Sequence, residues 1–163
     1  MKFKSEKQLF DTALSCSNFS EFFYKPSDRF LVEPKGLFGI PDLVVVSLDS
    51  EEYPQRILHA FAFEMKLSNW KRALMQAFRY RSFSEKSYVM LDSAFIKSPL
   101  RNIELFQRAN IGLLSIDCDG NLKNYFEPSN NLPFCSNLRG SLENIALKYP
   151  DLYRFNSTFS QPH

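Results

Sequence analysis

Two apolar runs of strand length, 42–48 and 58–66, constrain this chain more than any other feature. Asp42-Leu43-Val44-Val45-Val46-Ser47-Leu48 opens on a carboxylate and continues as a β-branched stretch. Leu58-His59-Ala60-Phe61-Ala62-Phe63-Glu64-Met65-Lys66 stays apolar until its last three residues. β-Branched and aromatic side chains suit a pleated, half-buried surface, so both runs are predicted strands. Side chains on a strand alternate faces: Glu64 and Lys66 share one, and Phe61, Phe63 and Met65 share the other. The polar, proline-containing connection Asp49-Ser50-Glu51-Glu52-Tyr53-Pro54 predicts a hairpin. Antiparallel pairing then sets Asp42, which begins the first strand, near Glu64, which nearly ends the second. Two carboxylates and an ammonium converge at one edge of a sheet.

Such a cluster has a definite chemistry open to it. Carboxylate oxygens hold Mg²⁺ at ~2.0–2.1 Å, leaving sites for water and for a substrate phosphate. The metal polarises the phosphoryl oxygen and lowers the pKa of a bound water. An ammonium beside it, Lys66, offsets the charge that grows in the transition state. The plainer reading is a Glu64–Lys66 ion pair, or charges solvated at strand ends.

Pro41-Asp42 and Glu64-Met65-Lys66 together resemble the signature of the PD-(D/E)XK nuclease superfamily. The resemblance implies that Asp42 and Glu64 bind the metal, that the backbone carbonyl of Met65 assists, and that Lys66 supports the attacking water. Gln76 and Tyr80, in Met75-Gln76-Ala77-Phe78-Arg79-Tyr80, are similar to the Gln-x-x-x-Tyr element that follows the catalytic lysine in RecB-like nucleases. The likeness covers roughly the first two-thirds of the chain. It implies an α/β, restriction-endonuclease-like three-layer fold with a central mixed β-sheet flanked by helices. It further implies a Mg²⁺-dependent deoxyribonuclease, an endonuclease in the first instance, with Mn²⁺ as a substitute ion and DNA as the partner. A homodimer would follow if both strands of a duplex must be cut. The alternative is a module on the same fold that binds DNA or protein without cutting.

Composition sets the bounds around that reading. A chain of 163 residues, 44% hydrophobic and with seventeen Phe, can bury one sizeable core. No apolar run is long enough to span a bilayer and Met1-Lys2-Phe3-Lys4 opens no secretory segment, so a soluble, cytoplasmic protein is expected. The formal charge of +2 is too small to imply nucleic-acid binding by itself. Cys16, Cys118 and Cys135 form no Cys-x-x-Cys pair, and His59 and His163 are poorly placed as general bases. Serine- and cysteine-nucleophile chemistries therefore lack a partner base.

The remaining elements follow in order. Ser5 and Gln8 predict a capping box for a helix reaching about Leu14, with Phe3, Leu9, Phe10, Ala13 and Leu14 on its apolar arc. Glu6 falls within that arc. It is either an auxiliary metal-side acid or a first-turn complement to the helix dipole. Asn18 to Ser27 is read as irregular, with a turn at Lys25-Pro26-Ser27-Asp28, and Arg29 to Glu33 as a strand. Glu33 is a further acid beside the loop Pro34 to Gly39, more in keeping with the surface than with the metal. Ser68 or Asn69 caps a helix to about Ser82 whose buried stripe is Trp70, Ala73, Leu74, Ala77 and Phe78. From Lys66 through Ser84 there are five basic residues and no acid, and Arg72, Gln76, Arg79 and Tyr80 are the candidates to grip a DNA backbone. A strand at Ser87–Leu91, a helix from Pro99 to about Ala109 and a strand at Ile111–Ile116 come next. Asp119-Gly120 is a type I′ hairpin signal leading into Asn121–Phe126. Residues 1–127 form the expected nuclease-like core. Residues 128–163 form a linker, a short helix near Ser141–Lys148 and a frayed tail, docked through Leu142, Ile145, Ala146 and Tyr149 on the core or on a partner.

Overall fold

The computed structural model describes residues 1–23, 28–49 and 56–148. The turn at 25–27, the connection at 50–54, Tyr149 and the tail lie outside them. Among the described residues, six strands form one mixed sheet in the order of the chain. These are β1 (Arg29–Val32), β2 (Leu43–Leu48), β3 (Ile57–Lys66), β4 (Lys86–Asp92), β5 (Gly112–Ile116) and β6 (Leu122–Phe126). β2 pairs antiparallel with both β1 and β3, β3 to β5 run parallel, and β6 returns antiparallel. The helices are α1 (Glu6–Ser15), α2 (Ser17–Phe23), α3 (Trp70–Tyr80), α4 (Lys97–Arg101), α5 (Ile103–Ala109) and α6 (Ser136–Lys148). None of them is long and apolar enough to cross a membrane.

Strand alternation sorts the core into two layers. Leu43, Val45, Phe63, Met65 and Met90 face α1 and α2, where Leu9, Ala13, Phe19 and Phe23 cover them. Val44, Val46, Ala60, Ala62, Val89 and Leu91 face the opposite way, under Trp70, Ala73, Ala77, Phe106, Leu142 and Ala146. Helices thus lie on both faces of the sheet. Alanines stand on both sides of the α3–β3 contact, which lets the helix backbone approach the strand closely and brings Tyr80 down to the sheet.

Several elements differ from the sequence reading, each for a physical reason. Residues 17–23 are helical rather than irregular, because Phe19 and Phe23 sit one turn apart and close edge-on over Phe63. In α1, Ser5 caps Gln8 N–H as expected, but Gln8 Oε1 accepts from Lys4 N–H, one residue upstream of the usual box. The buried stripe of α3 is Trp70, Ala73, Ala77 and Tyr80, and Phe78 is exposed. The helix expected from Pro99 to Ala109 breaks at Asn102 into α4 and α5, and Asn110 ends α5 in the left-handed conformation. Only Gly120 has a positive φ in the β5–β6 turn, so it is not type I′. The Asp117 carboxylate holds it by accepting from the N–H groups of Asp119 and Asn121.

The last described helix begins at Ser136, five residues before the expected start, and it packs on the sheet. Arg139 makes a bidentate pair with Glu85 at 2.6 and 3.0 Å and donates to the carbonyl of Phe83. Glu85 in turn accepts from Ala60 N–H of β3. The preceding linker is tied to the 81–85 turn by Phe134 N–H to Arg81 O and Cys135 N–H to Ser82 O. Leu142 is fully buried in the same core as α3. Leu142→Ala should therefore lower the unfolding free energy by about 2–4 kcal/mol, read by urea titration of Trp70 fluorescence. A change below about 0.5 kcal/mol, the range of a surface substitution, would detach α6 from the core.

Candidate functional site

Register brings the sequence candidates together. Leu43 pairs with Phe63, and Asp42 N–H donates to Phe63 O one step further on, so Asp42 and Glu64 meet across the end of the β2–β3 ladder. Asp42 Oδ2 accepts from Met65 N–H at 2.6 Å, which turns that carboxylate toward β3. Glu64 is 1% exposed. Its Oε1 lies 2.8 Å from Lys66 Nζ, two residues along on the same face, and its Oε2 accepts from the Tyr80 hydroxyl. That hydroxyl also stands 3.1 Å from Ile40 O in the β1–β2 loop. Gly39 makes the approach feasible, since it has φ +88° and a Cβ there would lie 3.1 Å from the Tyr80 ring. Lys66 Nζ completes its shell with Met65 O at 3.3 Å and Glu6 Oε2 at 3.5 Å.

The electrostatics are unequal across the pair. Burial, and then repulsion from Glu64, push the Asp42 carboxyl up to about 6, although Met65 N–H and Lys66 pull the other way. Burial works against the Lys66 ammonium, but its bond to Glu64 and the charges of Glu64, Asp42 and Glu6 outweigh that, so its pKa lies above that of an ordinary lysine. Lys66 is a permanent cation at neutral pH and not a proton acceptor. Tyr80 is held protonated, first by burial and then by its bond to Glu64, with its pKa well above the usual phenol value. The phenol is thus a fixed donor.

A cavity of about 380 Å³ opens at this sheet edge between α1 and the β1–β2 loop. Its walls include Asp42, Met65, Glu6 and Glu33. Glu6 does not point into the core as its place on the helical wheel suggests. Its side chain is 53% exposed at the rim, and it reaches Lys66 from there. Glu33 is exposed, in the left-handed conformation with φ 46°. Among the described residues, no three of His, Cys, Asp and Glu gather into a metal-holding group. The oxygen donors that could hold a cation are those of Asp42, the Met65 carbonyl, Glu6 at the side, and Glu64, both of whose oxygens are engaged here by Lys66 and Tyr80. These are hard oxygen donors, the kind Mg²⁺ takes. The Asp42 carboxyl is raised to about 6 by burial first and by the nearby Glu64 second.

The basic helix divides into two groups. Arg72 and Arg79 are exposed on α3, and Arg79 lies over the Phe38 ring at 5.5 Å. Arg81 is engaged internally, donating to Ala109 O and stacking on Phe134. Lys66 belongs to Glu64. Gln76, one turn before Tyr80, has a buried Oε1 with no hydrogen-bond partner, an unmet acceptor of the kind a ligand or water satisfies. Sequence reading passed over Asp92. It is fully buried at the end of β4, accepting from Phe3 N–H at 2.8 Å and Ala94 N–H at 2.9 Å. An Asp closing an apolar strand just before a short helix, in Leu91-Asp92-Ser93, was the available signal.

Set against family models, curated proteins and solved structures, the chain finds no significant match.

Two outcomes test this geometry in metal-free protein. Because the folded Asp42 carboxyl is raised above its unfolded value of 3.8, its contribution favours folding below about pH 4 and is lost as pH rises through 6. Asp42→Asn should remove that slope, worth up to about 3 kcal/mol, in denaturation curves collected from pH 4 to 7 with EDTA; identical slopes in both proteins would refute the shift. Tyr80→Phe keeps the ring but takes a donor from a buried carboxylate. It should cost about 1–3 kcal/mol at pH 7, and no loss of stability would mean that Glu64 does not depend on the phenol.

Proposed function

We propose that this chain is a Mg²⁺-dependent nuclease that hydrolyses phosphodiester bonds in DNA, with a site of the PD-(D/E)XK kind. One observation carries the reading. Asp42 and Glu64 face each other across adjacent antiparallel strands, with the Lys66 ammonium on Glu64 and the Met65 N–H on Asp42. Asp42, Glu64 and the Met65 carbonyl would hold the cation, with Glu6 as a further carboxylate at the rim. When bound, Mg²⁺ or Mn²⁺ supplies Lewis-acid polarisation of the phosphoryl oxygen and a lowered pKa for water.

The chain's own groups do the rest. Lys66, charged throughout the neutral range, would exchange its long 3.5 Å contact with Glu6 for the attacking water and oppose negative charge growing on the phosphoryl oxygens. Water oxygen bonds to phosphorus and its proton passes to bulk solvent, one P–O ester bond breaks, and the departing oxygen takes a proton from solvent. Tyr80 and Met65 N–H fix the orientations of the two carboxylates, so little reorganisation is needed during reaction. Arg72 and Arg79, one helical face away from Tyr80, are the groups that would hold flanking phosphates. Gln76 lies between them and Tyr80 on the wheel, with its buried Oε1 an unmet acceptor.

A second reading has one observation in its favour. Both Glu64 oxygens are already occupied, by Lys66 and Tyr80, and the residue is nearly inaccessible. A module on the same scaffold that binds DNA or protein without cutting would need nothing more. The two readings separate in one assay. Purified protein is incubated with Mg²⁺ or Mn²⁺ and a panel of linear, nicked, branched and single-stranded DNAs, beside Asp42→Asn and Glu64→Gln. The nuclease reading expects metal-dependent cleavage of at least one DNA, abolished by EDTA and reduced about a hundredfold or more in each variant, the scale of lost transition-state charge stabilisation. Intact DNA across the panel, with binding retained, would establish the idle module instead.

A further inference from the structure

We propose that the outer face of α3, with Phe38 and Phe134 on either side of it, binds single-stranded DNA by stacking unpaired bases. This deepens the nuclease reading by naming its substrate class and rests on it for the direction of the bound strand toward Asp42. Three aromatic side chains stand exposed here: Phe38 at 52%, Phe78 at 46% and Phe134 at 59%. Each has a guanidinium against its ring. Arg79 lies over Phe38 at 5.5 Å, and Arg81 lies over Phe134 at 4.5 Å and Phe78 at 5.6 Å. These come from three separate segments: the β1–β2 loop, α3 and the linker before α6. The backbone bond from Phe134 N–H to Arg81 O holds the last of them in place.

Round the α3 wheel the order is functional. Tyr80 faces Glu64, Gln76 comes next, then Arg72 and Arg79, then Met75 and Phe78 on the far side. A strand crossing this surface would meet ring faces and cations on the way to the acids. The helix itself brings no carboxylate to it, since 66–84 contains none. That charge pattern selects a polyanion over a protein partner, and the rings select among polyanions. A duplex keeps its base faces stacked internally and presents phosphates, to which a phenylalanine offers nothing. Unpaired bases expose π-faces that stack on aromatic side chains and on guanidinium planes without regard to sequence.

The test separates binding from cleavage by working in EDTA. Fluorescence anisotropy is recorded with a labelled oligo(dT) and with a duplex of equal length, for wild type, Phe38→Ala, Phe38→Leu and Phe78→Ala. These side chains are exposed, and melting temperatures confirm that each variant is folded. The expected result is binding of oligo(dT) at least tenfold tighter than the duplex. Each alanine variant, and Phe38→Leu, should weaken binding of oligo(dT) by roughly fivefold to a hundredfold and leave the duplex nearly unchanged. Duplex binding equal to or tighter than oligo(dT), or ring variants without effect, overturns the proposal. So does a concentration-dependent dimer that Phe78→Ala abolishes while oligo(dT) binding stays intact, for the face is then covered by a second copy. Tight oligo(dT) binding with no cleavage under Mg²⁺ or Mn²⁺ would support this surface and sink the nuclease reading alone. Metal-dependent cutting indifferent to the rings would do the reverse.

Discussion

The arrangement at this end of the sheet depends on a carboxylate that water hardly reaches. A carboxylate buried at the end of this ladder is costly without partners. Two partners make it tenable: the Lys66 ammonium, delivered by strand alternation, and the Tyr80 hydroxyl, delivered by α3. The second sets conditions on distant parts of the chain. The helix must lie close to β3, which the alanines at 60, 62, 73 and 77 permit. The β1–β2 loop must pass over the phenol without a side chain in the way, which Gly39 permits.

The two acids stand in contrast. Glu64 is the deeper of them, yet it has a cation of its own. Asp42 is shallower but has no cation of its own, and burial first and Glu64 second make it hold its proton more tightly than a free aspartate. The cavity beside Asp42 is lined by the further acids Glu6, Asp11 and Glu33 and by Lys7, which pairs with Asp11 at 2.8 Å. Acids thus outnumber bases around that opening, which is compatible with the cation proposed for the site.

Much of this was legible in the chain because β-strand patterning is strict. Alternation over 58–66 separates Glu64 and Lys66 from Phe63 and Met65, and the hairpin sets Asp42 opposite Glu64. Local periodicity did less well where side chains from elsewhere decided the outcome. Residues 17–23 form a helix whose phenylalanines land on Phe63, a contact invisible in a window of seven residues. Phe78 sits on the edge of the apolar arc of α3, yet Tyr80 is buried in its place because a buried carboxylate requires a donor there. Glu6 reads as inward on a wheel, but the helix stops short of the core at its first turn. Arg81 counts as surface charge in a sequence and is in fact bonded to the end of α5. Asp92 was missed for the opposite reason: a single acid after an apolar strand looks like an ordinary boundary.

Asp92 carries a consequence for α1. Its carboxylate fastens Phe3 N–H two residues before the cap of that helix, and Phe3 is itself buried beneath it. The starting point of α1, and hence the reach of Glu6 toward Lys66, is moored to the C-terminal end of β4, beside that of β3. The rim of the cavity is therefore not a free-standing flap. It is hinged on a strand two places across the sheet from β2, so a disturbance in the middle of the sheet would be felt at its mouth.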